Sequence, residues 1–231
     1  MNMPPQKILA LIPARGGSVG IPRKNLQLLG GKPLLVWTIE AAQALGASCR
    51  VVVSTDDDEI SSCAISAGAE HIRRPADIST GTASSEVALS HSLKFLAEQE
   101  NYHPDVVGFF QCTAPFRTGK HVAEAYAQFL REGADSLISV HREACFLWRK
   151  ENESWVPINH PITHRLRRQE IDQFEENGAI YFFKPWILRD LGMRFGGKVS
   201  AYELSPEAGF DIDTPLDLET ARQFLSEKHD L

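Results

Sequence analysis

Two groups of residues, near opposite ends of the chain, have the types and spacing to bind a phosphorylated ligand. The first is the loop IPARGGSVGIPRKN at residues 12–25, which follows an apolar run and combines glycines with Arg15 and Lys24. Glycines let successive backbone N–H groups turn towards an anion, arginine binds phosphate oxygens in pairs, and lysine adds a point charge. The loop lacks GxxxxGK[ST] and GxGxxG, so it predicts an anion-binding loop of another kind. The alternative is a surface loop with solvated cations.

The second group is the carboxylate pair Asp211 and Asp213 in GFDIDTP. In an extended segment, residues two apart face the same side, about 7 Å from each other. Converging carboxylates suit Mg²⁺, which prefers oxygen ligands and retains several waters. The apolar neighbours Phe210 and Ile212 favour a half-buried segment, but a solvated acidic turn before a capped helix would have the same sequence.

A third candidate is the basic cluster RLRRQ at residues 165–169. Several arginines in an acidic protein could bind the carboxylate of a substrate, or form a solvated face or salt bridges to a partner chain. His160 and His164 have the spacing of a metal pair on a helix, but Pro161 disfavours a helix there.

Composition favours an enzyme of ordinary globular type. The chain has 231 residues, 43% of them hydrophobic and 23% charged, with a net charge of −6. The acidic balance disfavours nucleic acid as a partner, and the cations of the 12–25 loop suit a small anion better. No segment near the N-terminus has the length and apolarity of a signal peptide or membrane span, so we expect a cytoplasmic protein, or a nuclear one in a eukaryote. Four cysteines without a CxxC pair indicate neither zinc nor disulfide chemistry.

Strand and helix patterns alternate over the first two-thirds of the chain and predict a three-layer α/β fold with a mainly parallel sheet. The carboxyl ends of its strands should bring together the 12–25 loop, the segment after Ser54 and QCTAPFRT at 111–118. We predict strands at 7–13, 50–54, 106–111, 136–140 and 177–184, and helices at 33–46, 55–68, 85–98, 118–133 and from 215 onwards.

The region 142–176 interrupts this alternation. From Cys145 to Glu176 it has no clean period, and such a long irregular stretch in a compact domain is usually functional. We therefore expect one domain over residues 1–231, with an arm at about 142–176 that contains hairpin segments and packs on a second chain.

Taken together, the segments resemble the acylneuraminate cytidylyltransferases, also called CMP-sialic acid synthetases. The resemblance rests on their order along the chain: IPARGGSVGIPRKN, VVVSTDDDEI, RRPADISTGTASS, FFQCTAPFRT, RLRRQEIDQFEENGAIYFFK and GFDIDTPLDL. It implies a Rossmann-like nucleotidyltransferase domain, a homodimer, and an arm that serves both dimerisation and sugar binding. It also implies CMP transfer from CTP to the anomeric hydroxyl of a nine-carbon α-keto acid sugar, with release of pyrophosphate.

The resemblance also implies roles for individual residues. Catalysis falls to Arg15, Lys24, Asp211 and Asp213, of which the two aspartates hold Mg²⁺, with Mn²⁺ as the alternative ion. The nucleotide would be bound by Arg15, Gly16, Ser18, Lys24, Asn25, Arg73, Ser84 and Gln111. The sugar would be bound by Gln111, Arg165, Arg168, Gln169 and Asn177.

The sequence departs from the family pattern at several positions. Val19 stands where the family usually has a lysine beside the triphosphate, and Cys112 and Ala114 alter the usual QPTSP. Three alternatives therefore stay open: a sister enzyme for eight-carbon KDO or an analogue, a nucleotide-binding protein with weakened catalysis, and an interaction module that binds no nucleotide. The sequence does not distinguish N-acetylneuraminate, KDN, legionaminate and pseudaminate, and we expect neither nucleic-acid nor membrane partners.

Overall fold

The computed structural model describes residues 6–164 and 166–229. The strands are β1 Ile8–Pro13, β2 Leu28–Leu29, β3 Lys32–Pro33, β4 Cys49–Thr55, β5 Glu70–Arg73, β6 Val106–Phe109, β7 Ser136–Arg142, β8 Trp148–Glu151, β9 Ser154–Pro157, β10 Phe174–Phe183 and β11 Val199–Glu203. The helices are α1 Leu34–Gln43, α2 Asp58–Ser66, α3 Ser85–Glu100, α4 Gly119–Arg131, α5 Pro185–Leu191 and α6 Pro215–His229.

Seven strands form the central sheet in the order β11-β7-β10-β6-β1-β4-β5. All neighbouring pairs are parallel except those of β10, which runs antiparallel to both β6 and β7. The prediction of a mainly parallel sheet is therefore confirmed. The short strand β5 and the strand β11 were not predicted, because neither shows the long apolar run of a strand buried on both faces.

The two faces of the sheet are covered by different helices, which makes three layers. Along β1, Ala10 and Ile12 pack with α1, α2 and α4, whereas Leu9 and Leu11 pack with α3 and α5. Successive side chains of a strand point to opposite faces, so a continuously apolar strand such as β1 supplies both cores. No helix among the described residues has the length and apolarity to cross a membrane.

The N-terminal caps of α4 and α2 show how local sequence sets where a helix begins. Thr118 caps α4 in a capping box with His121, as the predicted helix start requires. The helix predicted from residue 55 begins later, at Asp58. The cap of α2 is Asp57, whose carboxylate accepts from the backbone of Glu59 and Ile60, because Thr55 still belongs to β4 and its hydroxyl accepts from the Asp57 N–H.

The 142–176 segment contains the hairpin that the sequence predicted, formed by β8 and β9. Its irregular part ends earlier than expected, because β10 begins at Phe174 rather than at Asn177. The register of β10 on β7 shifts between Glu176 and Tyr181, and Gly178 there adopts φ +71°. This bulge turns Asn177 out of the regular ladder. The role of the segment in dimerisation stays a prediction.

Candidate active site

A cavity of about 480 Å³ lies at the carboxyl ends of β1 and β6. Parallel α/β sheets bind their ligands at this edge, because the loops that follow the strands meet there. The cavity brings together the 12–25 loop, the segment after β6 and the carboxylate pair. Its lining residues are Pro13, Arg15, Ser18, Val19, Gly20, Lys24, Asn25, Ser85, Phe109, Gln111, Cys112, Thr113, Asp211 and Asp213.

The N-terminal loop and the C-terminal carboxylates are held together by an apolar cluster behind them. Ile21 and Ile212 are both buried in this cluster, against α1 and α6. As a result Gly20 lies so close to Asp213 that a Cβ on it would come within 2.4 Å of the Asp213 carbonyl oxygen. Lys24 closes the contact, since its Nζ donates to the Asp213 carboxylate at 2.9 Å and to the Ile212 carbonyl at 3.0 Å.

Buried polar contacts fix the path of the loop before any ligand binds. Asn25 is 7% exposed and its amide donates to the Arg15 carbonyl at 3.0 Å, so it orients the loop from behind. The Gly16 N–H donates to the Asp56 carboxylate at 3.0 Å and is therefore not free for phosphate. Gly16 does not line the cavity, and a side chain there would collide with Asp57.

The loop cations divide into two groups. Arg15 and Lys24 line the cavity. Arg23 instead adopts φ +55° and pairs with Asp57 at 2.5 Å and with Glu59 at 2.6 Å. Arg23 therefore does not supply the cation that the resemblance leads us to expect where this chain has Val19.

The carboxylate pair has the electrostatics of a cation site. The pKa of Asp211 is raised, chiefly because the surrounding protein desolvates its carboxylate and in addition because Asp213 repels it, while the Thr113 hydroxyl and Lys24 act in the opposite direction. A divalent cation would remove this repulsion, and two carboxylates facing an open cleft are the oxygen donors that Mg²⁺ prefers. The donor set therefore fits the expected ion.

A smaller cavity of about 240 Å³ continues from Arg15 towards α3 and contains Ser84. Arg73, expected here, lies elsewhere: its side chain is 59% exposed and pairs with Asp58. Arg74 lines this cavity instead and is 6% exposed; neither its Nε nor its Nη2 makes a hydrogen bond, although Nη2 lies 3.9 Å from the Asp56 carboxylate. The alternation of a strand explains the difference, since buried Ile72 puts Arg73 outside and Arg74 inside.

A second cavity, of about 430 Å³, adjoins the first and shares Gln111 and Asp211 with it. Asn177 lines it and is 8% exposed. The Asn177 Oδ1 accepts from the Ser139 hydroxyl at 2.6 Å and from the Ala179 N–H at 3.2 Å, whereas its Nδ2 has no partner. Gln111, Asn177 and Asp211, three residues remote in sequence, are thus brought together.

The basic cluster is less well placed relative to these cavities. Arg168 and Gln169 lie in an exposed turn and line neither of the two adjoining cavities, and Arg165 lies outside the described residues. His160 contacts the rings of Phe146 and Trp148 rather than a second histidine.

Sequence reasoning missed Arg117, which joins the walls of the two adjoining cavities. It is 1% exposed, and its guanidinium donates to the carbonyls of Gln111 at 3.1 Å and Ala179 at 2.6 Å and to the Thr38 hydroxyl at 2.8 Å. Burial lowers the pKa of Arg117 to about 10. Arginine in QCTAPFR gives no sign of burial, because arginine is rarely buried without an acidic partner.

Comparison with solved structures supports the fold. The structure of CMP:2-keto-3-deoxy-manno-octonic acid synthetase complexed with CTP aligns with a TM-score of 0.70 at 19% identity, over 96% of this chain and 99% of that one. The 4-diphosphocytidyl-2C-methyl-D-erythritol synthase of Anaerococcus prevotii aligns with a TM-score of 0.67 at 15% identity. At these identities the likeness shows the Rossmann-like fold and no more.

Sequence comparison shows the family. N-acylneuraminate cytidylyltransferase A of Danio rerio is 37% identical over 94% of this chain, and N-acylneuraminate cytidylyltransferase of Escherichia coli O18:K1:H7 is 31% identical over 96%. The chain spans about half the length of these two relatives, 50% and 53%. Pseudaminic acid cytidylyltransferase of Campylobacter jejuni is 30% identical over 97% of this chain and 98% of its own length. A family model described as cytidylyltransferase matches residues 9–230. The chain therefore belongs to the cytidylyltransferase family to which the N-acylneuraminate and pseudaminic acid enzymes belong.

Proposed function

We propose that this protein transfers CMP from CTP to the anomeric hydroxyl of a nine-carbon α-keto acid sugar and releases pyrophosphate. The observation that carries the proposal is the pair of adjoining cavities, which share Gln111 and Asp211. One cavity has the cationic loop that a triphosphate needs, and the other is of a size for a small organic ligand. Relatives that are 30–37% identical carry the names of enzymes for acids of this type.

In this proposal the sugar hydroxyl attacks the α-phosphate in line and pyrophosphate leaves on the opposite side. Catalysis consists mainly of positioning and charge neutralisation, as in other phosphoryl and nucleotidyl transfers. Arg15 and Lys24 bind the phosphates and stabilise the charge that develops on the leaving pyrophosphate. Mg²⁺ or Mn²⁺, held by Asp211 and Asp213, would neutralise phosphate charge and lower the pKa of the attacking hydroxyl.

The remaining contacts follow from position. Arg74 and Ser84 line the cavity beyond Arg15 and bind the nucleoside part of CTP. Gln111 and Asn177 contact the sugar. The arginines of the 165–168 cluster bind the sugar carboxylate, from the same subunit or from a partner in a homodimer that packs through the 142–176 segment.

The test is an assay with CTP, Mg²⁺ and a panel of acids: N-acetylneuraminate, KDN, legionaminate, pseudaminate and eight-carbon KDO. Pyrophosphate release together with the mass of the CMP-sugar is the readout. We expect turnover with at least one nine-carbon acid. Turnover with KDO alone would replace the proposal by the sister activity.

A second candidate, nucleotide binding with weakened catalysis, is favoured by one observation. Val19 is 82% exposed at the cleft where the family has a lysine, and Arg23 is engaged elsewhere. A thermal shift with CTP but no pyrophosphate from any acid would support this second candidate. No shift and no turnover would exclude both.

A further inference from the structure

The wall of the second cavity is acidic. Glu175 and Glu176 line it but not the first cavity, and none of its described lining residues is lysine or arginine. Arg194, which stacks on the Tyr181 ring of this wall, already pairs with Glu86 at 2.7 Å. A carboxylate placed deep in this cavity would face like charges, whereas a hydroxyl group would find acceptors.

The proposed reaction fixes which end of the sugar reaches this wall. In an α-keto acid sugar the anomeric carbon carries both the attacking hydroxyl and the carboxylate. Both must therefore lie near the junction of the two cavities, at Gln111 and Asp211. The opposite end of the acid, its C7–C9 tail, then extends along the second cavity towards His141 and Glu175.

Of the carboxylates in this wall, Glu175 lies beside His141 and can still accept hydrogen bonds from a ligand. It is paired with His141 across β10 and β7, and the His141 Nε2 lies 3.5 Å from its carboxylate. Its side chain is 64% exposed. Glu176, by contrast, already accepts a hydrogen bond from the Tyr181 hydroxyl.

A second observation also points to a polar ligand in this cavity. The Asn177 Nδ2 has no partner although Asn177 is 8% exposed and lines the cavity. Buried amide groups in proteins are nearly always hydrogen-bonded, so an unpaired one beside a cavity indicates a group that the ligand satisfies.

We infer that Glu175, oriented by His141, accepts hydrogen bonds from the hydroxylated C7–C9 tail of the acid sugar. This inference rests on the proposed function and sharpens it. It makes the substrate an acid with a glyceryl tail, such as N-acetylneuraminate or KDN, in preference to the 9-deoxy diamino acids legionaminate and pseudaminate. A methyl group at C9 has no proton to donate, so a 9-deoxy acid would make fewer hydrogen bonds to this carboxylate.

The experiment compares the wild-type protein with Glu175→Gln and with the matched control Glu143→Gln. Glu143 also lies near the His141 Nε2, at 3.8 Å, but does not line the cavity. Both glutamates are at least 42% exposed, so neither substitution should prevent folding. We expect Glu175→Gln to raise the KM for a glyceryl-tailed acid by about tenfold, with the KM for CTP unchanged. The KM for a 9-deoxy acid should change by less, and Glu143→Gln should match the wild-type protein.

Three results would overturn the inference while the proposed function stands. The first is an equal KM for Glu175→Gln and wild type with every acid. The second is an equal rise of KM for glyceryl-tailed and 9-deoxy acids. The third is an effect of Glu143→Gln as large as that of Glu175→Gln. The last would mean that the three side chains act as one unit through His141, for example by holding a cation. Wild-type protein without turnover on any acid would instead refute the proposed function, and the inference with it.

Discussion

The 12–25 loop and the 142–176 segment are both largely irregular chain, but they are stabilised in opposite ways. The loop is fixed from behind by buried Asn25 and Ile21, and its cation Lys24 reaches the Asp213 carboxylate. The 142–176 segment has its own hairpin ladder but leaves large apolar side chains on its surface. They are Leu147, Trp148, Trp155, Ile158, Ile162 and Phe174.

We interpret this difference as that between a site preformed in one chain and a surface that we propose to pack on a second chain. A loop held by buried groups can bind a charged ligand without first paying the entropy of ordering itself. An apolar surface of several side chains, concentrated in one segment, is typical of a protein–protein interface. The comparison predicts that changes in the loop region affect chemistry and stability, and that changes in the 142–176 segment affect association.

The largest effect should come from Asp211→Asn in the preformed site. The substitution keeps the size of the side chain but removes one of two charges that would hold Mg²⁺, so we expect turnover to fall by about a thousandfold or more. Pyrophosphate release over a Mg²⁺ titration measures it. Glu219→Gln on the exposed side of α6 is the control. Turnover near the wild-type level would remove the metal assignment.

Arg117→Met should destabilise the fold as well as the site. It leaves the Ala179 carbonyl and the Thr38 hydroxyl without their buried donor, and we expect a loss of about 3 kcal/mol in the free energy of unfolding. Denaturant unfolding measures this loss. Arg131 is the exposed last residue of α4. Arg131→Met should lower the free energy of unfolding by less than about 0.5 kcal/mol. Equal costs for the two variants would contradict the role of Arg117 in joining the cavity walls.

Arg117 also marks the limit of what sequence could predict. The alternating elements, the mainly parallel sheet and the meeting of Arg15 with Asp211 followed from local pattern and from the topology of parallel sheets. The buried guanidinium and the bulge at Gly178 depend on contacts across the fold, which no local pattern records. The exchange of Arg74 for Arg73 depended on a strand of four residues, too short to be seen in advance.

Trp155→Ala should act on association rather than on the fold. Trp155 is 62% exposed in the single chain, so its removal should hardly change the stability of a monomer. If it anchors the proposed homodimer, the dissociation constant should rise about thirtyfold. Sedimentation over a range of concentrations measures the change.

Leu147→Ala and Leu191→Ala form a matched pair, at 44% and 51% exposure. Only the former, which lies in the 142–176 segment, should weaken the dimer, and an equal effect of both would contradict the assignment of the interface.

The smallest effect should come from Val19→Lys, at an exposed point of the preformed site. Val19 is 82% exposed and lines the cavity, so a lysine there displaces nothing from the core. A cation restored beside the triphosphate in a solvated cleft is worth only a few tenths of a kcal/mol to about 1 kcal/mol. We therefore expect turnover to stay intact or rise, with the KM for CTP lower by about threefold and the gain shrinking at high salt because mobile ions screen the added charge. Val199→Lys, on an exposed edge strand, should leave the KM for CTP unchanged. A large loss of turnover in Val19→Lys would mean that this loop is built differently from the family pattern and has no place for a cation at position 19.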